Sequence, residues 1–75
     1  MSDERVYGLL DAADKIALKA YANNGMCVTR TARETHYDRR VISNRLTNIH
    51  RRVGIDPRDF WGLMNLLRII DEGGG

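Results

Sequence analysis

The most constraining feature of the chain is the stretch from Asp38 to Gly54, where apolar residues fall at Ile42, Leu46, Ile49 and Val53. A helical turn holds about 3.6 residues, so this spacing gathers all of them into one narrow stripe of an α-helix. The other faces carry Arg39, Arg40, Ser43, Asn44, Thr47, Arg51 and Arg52. Asp38 is suited to cap the start of the helix and Gly54 to end it. Such a segment hides one side and offers the other for polar contact.

Its neighbours extend the pattern. Thr29 stands where an N-cap should, ahead of a short helix with Ala32 as its small inward residue. His36-Tyr37 ends that helix, and His36 is the candidate for a left-handed turn residue. Tyr37 and Ile42 are expected to fill the space between the two helices. Two helices joined by a tight three-residue turn, the second cationic on its polar face, describe a helix-turn-helix. A larger residue than Ala32 would push the pair apart.

Residues 3–22 read as one helix or two. Val6, Leu10, Ala13, Ile16 or Ala17, and Ala20 recur at helical spacing, while Asp11 with Asp14 three residues on can cap a second start. Asn23-Asn24-Gly25 is a helix stop, and Met26-Cys27-Val28 a connector. Asp56-Pro57 breaks the chain again. A last helix, from Pro57 or Asp59 to about Ile70, contains Phe60, Trp61, Leu63, Met64, Leu66, Leu67, Ile69 and Ile70. Apolar residues on nearly all of its sides call for burial on more than one side, with Phe60 and Trp61 as core. Asp71-Glu72 and three glycines read as a frayed end, 73–75 being a flexible tail. The expectation is an all-α bundle of four to five helices forming one domain over residues 1–75, with no strand.

Charge is segregated. Residues 23–54 hold seven arginines against Glu34 and Asp38, a net +5, whereas the flanks hold five cations and eight acids, a net −3. A basic middle with acidic ends points to a polyanionic partner met on one face. Other classes find little support. Cys27, His36 and His50 fit no common zinc spacing, so no metal or other cofactor is expected. No catalytic pair is visible, which argues against an enzyme and against a small-molecule substrate. The acidic start does not resemble a signal or transit peptide, and no apolar run approaches the ~20 residues that cross a bilayer. The last helix carries too few cations for a membrane surface. With a lone cysteine, the expected location is the cytoplasm, or the nucleoid in a bacterium.

Three pieces carry a resemblance: YANNGMCVTRTARETHYDRRVISNRL, then TNIHRRVGIDPRDF, then LMNLLRII. From Ile16 to Ile70 the chain resembles the C-terminal DNA-binding domain of the PucR and sugar-diacid regulator family, itself similar to the Fis-type helix-turn-helix. The shared positions are Asn23, Asn24, Thr31, Ala32, His36, Arg39, Arg45, Leu46, Ile49, Gly54, Asp56, Pro57, Arg58 and Phe60. Arg40-Val41-Ile42 departs from the family's usual Asn-Thr-Leu and lacks its hydroxyl. The resemblance implies a Fis-like fold binding double-stranded DNA, with Asp38, Arg39, Arg40, Ser43, Asn44 and Thr47 at base edges. Thr29, Arg30, Thr31, Arg33, Arg51 and Arg52 would then meet phosphates. Arg45, close to the stripe, is expected to pack its stem on the core. A chain this short gains buried area by pairing, so a homodimer is expected, with Phe60, Trp61, Leu63, Met64, Leu67 and Ile70 shared between core and interface. The alternative is a protein-interaction module docking through that apolar helix.

Overall fold

Asp11 settles the first open question by dividing the N-terminal stretch. Its Oδ1 accepts from Asp14 N at 2.8 Å while Asp14 Oδ2 accepts from Asp11 N at 3.2 Å, a reciprocal cap that starts a new helix. The computed structural model describes residues 3–74. Among these the helices are α1 Asp3–Leu9, α2 Ala12–Asn23, α3 Val28–Thr35, α4 Arg39–Val53 and α5 Phe60–Gly74, with no strand. The fold is all-α.

Asn24 closes α2 by donating its side-chain amide to Ala20 O at 2.7 Å, and Gly25 and Met26 then turn the chain at positive φ. The second helix start is shifted from the expected place. α3 begins at Val28 with Cys27 as its N-cap, and no side chain satisfies the first amides. Thr29 lies inside the first turn instead. Residues 36–38 form the three-residue turn, and Gly54 ends α4 at φ 76°.

α2 is the central helix, packing against α3, α4 and α5, while α1 bridges α4 and α5. The core joins Val6, Leu10, Leu18, Tyr21 and Ala32 to the complete stripe of α4 and to Leu63, Leu66, Ile69 and Ile70 of α5. Each large side chain so buried contributes about 1.5–3 kcal/mol relative to exposure. Of the alternatives at 16 and 17, Ala17 is buried and Ile16 is exposed.

α5 departs from expectation at both ends. It runs past Ile70 to Gly74 because Arg68 fastens its last turns, bonding Glu72 one turn on and Asp3 of α1, each at 3.0 Å. Helix therefore replaces tail at Gly73 and Gly74; Gly75 lies outside the described residues. At the other end Phe60 and Trp61 are not core. Trp61 is 76% exposed, and the two rings meet edge to face with centroids 5.1 Å apart. The reason is angular: Leu63, Leu66, Ile69 and Ile70 already fill the side of α5 that faces α1 and α2.

Candidate nucleic-acid interface

The turn that positions α4 depends on His36, which adopts the left-handed conformation at φ 63°. Its backbone N–H and that of Tyr37 both return to Ala32 O. Asp38 Oδ1 then accepts from Arg40 N at 2.8 Å and starts α4. Tyr37, expected to fill the space between the helices, is half exposed, whereas Ala32 of α3 and Ile42 of α4 are both buried in the core. A left-handed non-glycine residue costs roughly 1–2 kcal/mol, partly offset by glycine's own entropic cost. His36→Gly is therefore expected to raise the unfolding free energy by up to about 1 kcal/mol in urea titrations.

On α4, Arg39, Arg40, Asn44, Thr47, Asn48 and Arg51 are exposed, and Ser43 is half-buried. Val41 lies exposed among them, an apolar side chain on the polar face that the sequence reading did not single out. Among the described residues, Arg39, Arg40 and Arg51 form no ion pair. Asn44 lines a shallow cleft with Val41, Arg45, Asn48 and Arg52. Ser43 and Thr47 are reached by Arg58, from the turn before α5, whose guanidinium donates to both hydroxyls.

Two arginines of α4 have another task. Asp14 of α2 is fully buried, and its Oδ1 accepts from Arg45 Nη1 at 2.8 Å while Oδ2 accepts from Arg52 Nη1 at 3.0 Å. Arg52 Nη1 also donates to Leu9 O at 2.9 Å, closing the open end of α1. Arg45 Nε is buried with no partner among the described residues. Arg45 and Arg52 stand two turns apart on one side of α4, so both reach the same carboxylate. Arg52, expected at a phosphate, thus also forms a structural bond between α1, α2 and α4, while its side chain stays 42% exposed. Sequence reading saw Asp14 only as a capping residue. The signal was an acid in the helical spacing Leu10, Asp14, Ala17, Tyr21, all of which are buried.

Asp11, beside this cluster, has its carboxyl held below the ordinary range, chiefly by the Asp14 N–H, with Arg45 and Arg52 adding attraction against the cost of desolvation. A carboxyl lowered in this way stabilises the fold above its unfolded pKa, and that contribution disappears as pH falls through the folded value. NMR titration should show Asp11 protonating at lower pH than a solvated aspartate.

Around α3, Thr29, Arg30 and Arg33 are exposed. Thr31 is not available to a phosphate: it is fully buried and its hydroxyl donates to Cys27 O at 2.7 Å. The Cys27 carbonyl thus accepts from both the Thr31 amide and its hydroxyl, while the first amides of α3 remain without a side-chain cap. Glu34 is bonded by the Asn24 amide, which ties α3 to the end of α2. Among the described residues no group of three or more His, Cys, Asp or Glu is placed to hold a metal, and no helix is long and apolar enough to cross a membrane.

A short helix, a three-residue turn with one left-handed residue, and a longer helix with its arginine-rich side outward define a helix-turn-helix domain. The chain belongs to the PucR C-terminal helix-turn-helix domain family, whose model matches residues 16–68. That span takes in α2 from Ile16 onward, all of α3 and α4 and α5 as far as Arg68, and leaves α1 outside. No curated protein and no solved structure matches the chain.

Proposed function

We propose that the chain binds duplex DNA sequence-specifically, laying the N-terminal half of α4 in the major groove, and regulates transcription as a homodimer. The observation that carries this reading is the exposed row Arg39, Arg40 and Asn44 on the second helix of the motif, with both arginines free of ion pairs among the described residues. Arginine forks onto guanine and asparagine onto adenine, each pairing supplying roughly 1–3 kcal/mol of discrimination. Ser43 stands beside them, Val41 suits a thymine methyl, and Asp38 marks the edge of the footprint. Thr29, Arg30, Arg33 and Arg51 hold the duplex by its phosphates.

Binding to a DNA duplex across a salt series tests this directly. With Arg30, Arg33, Arg39, Arg40 and Arg51 engaged, log K should fall linearly with log salt, with a slope of roughly −3 to −5 for each protomer bound and about twice that for the dimer on two half-sites. A salt-independent affinity, or none, overturns the reading.

The dimer rests on α5, where Phe60, Trp61 and Met64 remain exposed on one side after the core is filled. An aromatic pair of this kind is the usual anchor of an interface. Two-fold pairing would set two α4 helices about 34 Å apart, one turn of DNA. Trp61→Lys should weaken self-association at least tenfold while leaving the helical content intact. Sedimentation of the unaltered chain as a monomer at micromolar concentration would remove the dimer. The same aromatic pair favours a second reading, docking of another protein through α5, for which salt would have little effect on binding.

A further inference from the structure

The turn between α4 and α5 delivers to the reading face a side chain that belongs to neither helix. Its backbone is well held. Pro57 is buried, Arg58 N donates to Asp56 Oδ1 at 2.9 Å, and Asp59 N donates to Asp56 O at 3.2 Å. The backbone of Gly62 lies so close to the Asp56 carbonyl that no side chain would fit there. From this base Arg58 lays its guanidinium along α4. Nη2 donates to Ser43 O at 3.0 Å and Ser43 Oγ at 2.8 Å, and Nη1 donates to Thr47 Oγ1 at 3.1 Å.

Counting hydrogens shows what this does to the two hydroxyls. Thr47 Oγ1 gives its only hydrogen to Ser43 O at 3.1 Å and accepts from Arg58, so its bonding capacity is largely used inside the protein. Ser43 Oγ accepts from Arg58 and keeps its hydrogen for an outside acceptor. Nη2 spends both of its hydrogens on Ser43 and Nη1 one of its own on Thr47. The hydrogens left, on Nε and Nη1, lie on opposite sides of the guanidinium and do not form the parallel pair that forks onto guanine.

We propose that Arg58 is a positioning residue of the recognition face, holding the Ser43 hydroxyl as a donor toward an acceptor on a base and withdrawing Thr47 from base reading. This rests on the DNA-binding reading above. The bases addressed by Ser43 are those with an acceptor in the major groove: a purine through N7, guanine through O6, or thymine through O4. Cytosine, which offers an amino donor there, is disfavoured.

Selection from a random duplex pool with the full chain and four variants tests the assignment. Arg58→Lys keeps the charge but cannot span three acceptors. It should retain the salt slope while losing about tenfold of the preference at one base-pair position. Ser43→Ala should lose preference at that same position, and the double variant should lose no more than either single one. Thr47→Ala should keep the unaltered profile. Should Arg58→Lys fail to fold, as circular dichroism would show, the contrast between Ser43→Ala and Thr47→Ala still decides. Equal effects of those two, an unchanged profile for Arg58→Lys, or changes at different positions would overturn the assignment. A chain with no sequence preference at all would overturn the DNA-binding reading itself, and this inference with it.

Discussion

Replacing both Arg45 and Arg52 by methionine is expected to lower the unfolding free energy by about 3–5 kcal/mol. The reason lies in the partner left behind. Asp14 is fully buried, and its two oxygens are satisfied by these arginines and by the Asp11 amide. Removing the cations leaves a carboxylate that water cannot reach and one weak backbone donor to hold it. A chain of 75 residues is expected to be stable by about 4–11 kcal/mol in total, so a loss of this size exposes a measurable unfolded fraction. Adding Asp14→Leu to the double variant should restore most of the loss, because an apolar replacement of a whole buried ion cluster is tolerated far better than half a cluster. Urea midpoints at constant m would measure both steps. Equal stability of the double and unaltered chains would show that the cluster does not bind α2 to α4.

The second large effect is on binding and not on folding. Arg40→Ala combined with Asn44→Ala should reduce affinity for the preferred duplex by roughly 30–1,000-fold, while affinity for unrelated duplexes falls only a few-fold. Both side chains are exposed, so the thermal midpoint should stay within a few degrees. This contrast separates the two groups of α4 arginines. Arg52→Ala would weaken all binding together with stability, since its guanidinium holds Asp14 and Leu9. Arg40 has no such bond to lose.

What was legible in the sequence followed from local chemistry. The stripe Ile42, Leu46, Ile49 and Val53 is buried throughout, Asp11 and Asp38 cap helices, and His36 and Gly54 take left-handed backbone. Each of these depends on neighbours within about one or two helical turns. The misreadings share the opposite property. Trp61, Phe60 and Tyr37 are apolar enough for a core, but whether a core has room for them depends on helices elsewhere in the chain. The bond from Arg52 to Asp14 spans 38 residues, and that from Arg58 to Ser43 spans 15. Only an acid at a buried helical position hinted at the first. The second had no signal beyond Arg58's place among the positions shared with the family, which names no partner, because the distance across the surface is set by how α5 departs from α4.

The charge pattern was legible as a whole and not in its parts. Seven arginines between residues 23 and 54 announced a polyanionic partner. The fold then assigns two of them to Asp14 and leaves Arg30, Arg33, Arg39, Arg40 and Arg51 on the surface. A smaller free set lowers the number of phosphates that can be neutralised, and hence the steepness of the salt response.

The central claim is that the outward side of α4 reads bases. Footprinting a selected duplex by guanine N7 methylation tests it most directly. The account predicts protection of guanines in the major groove of two half-sites one helical turn apart, lost when Arg40 and Asn44 are replaced. Methylation of the bound duplex at the same rate as free DNA, or protection that survives those replacements, would contradict it.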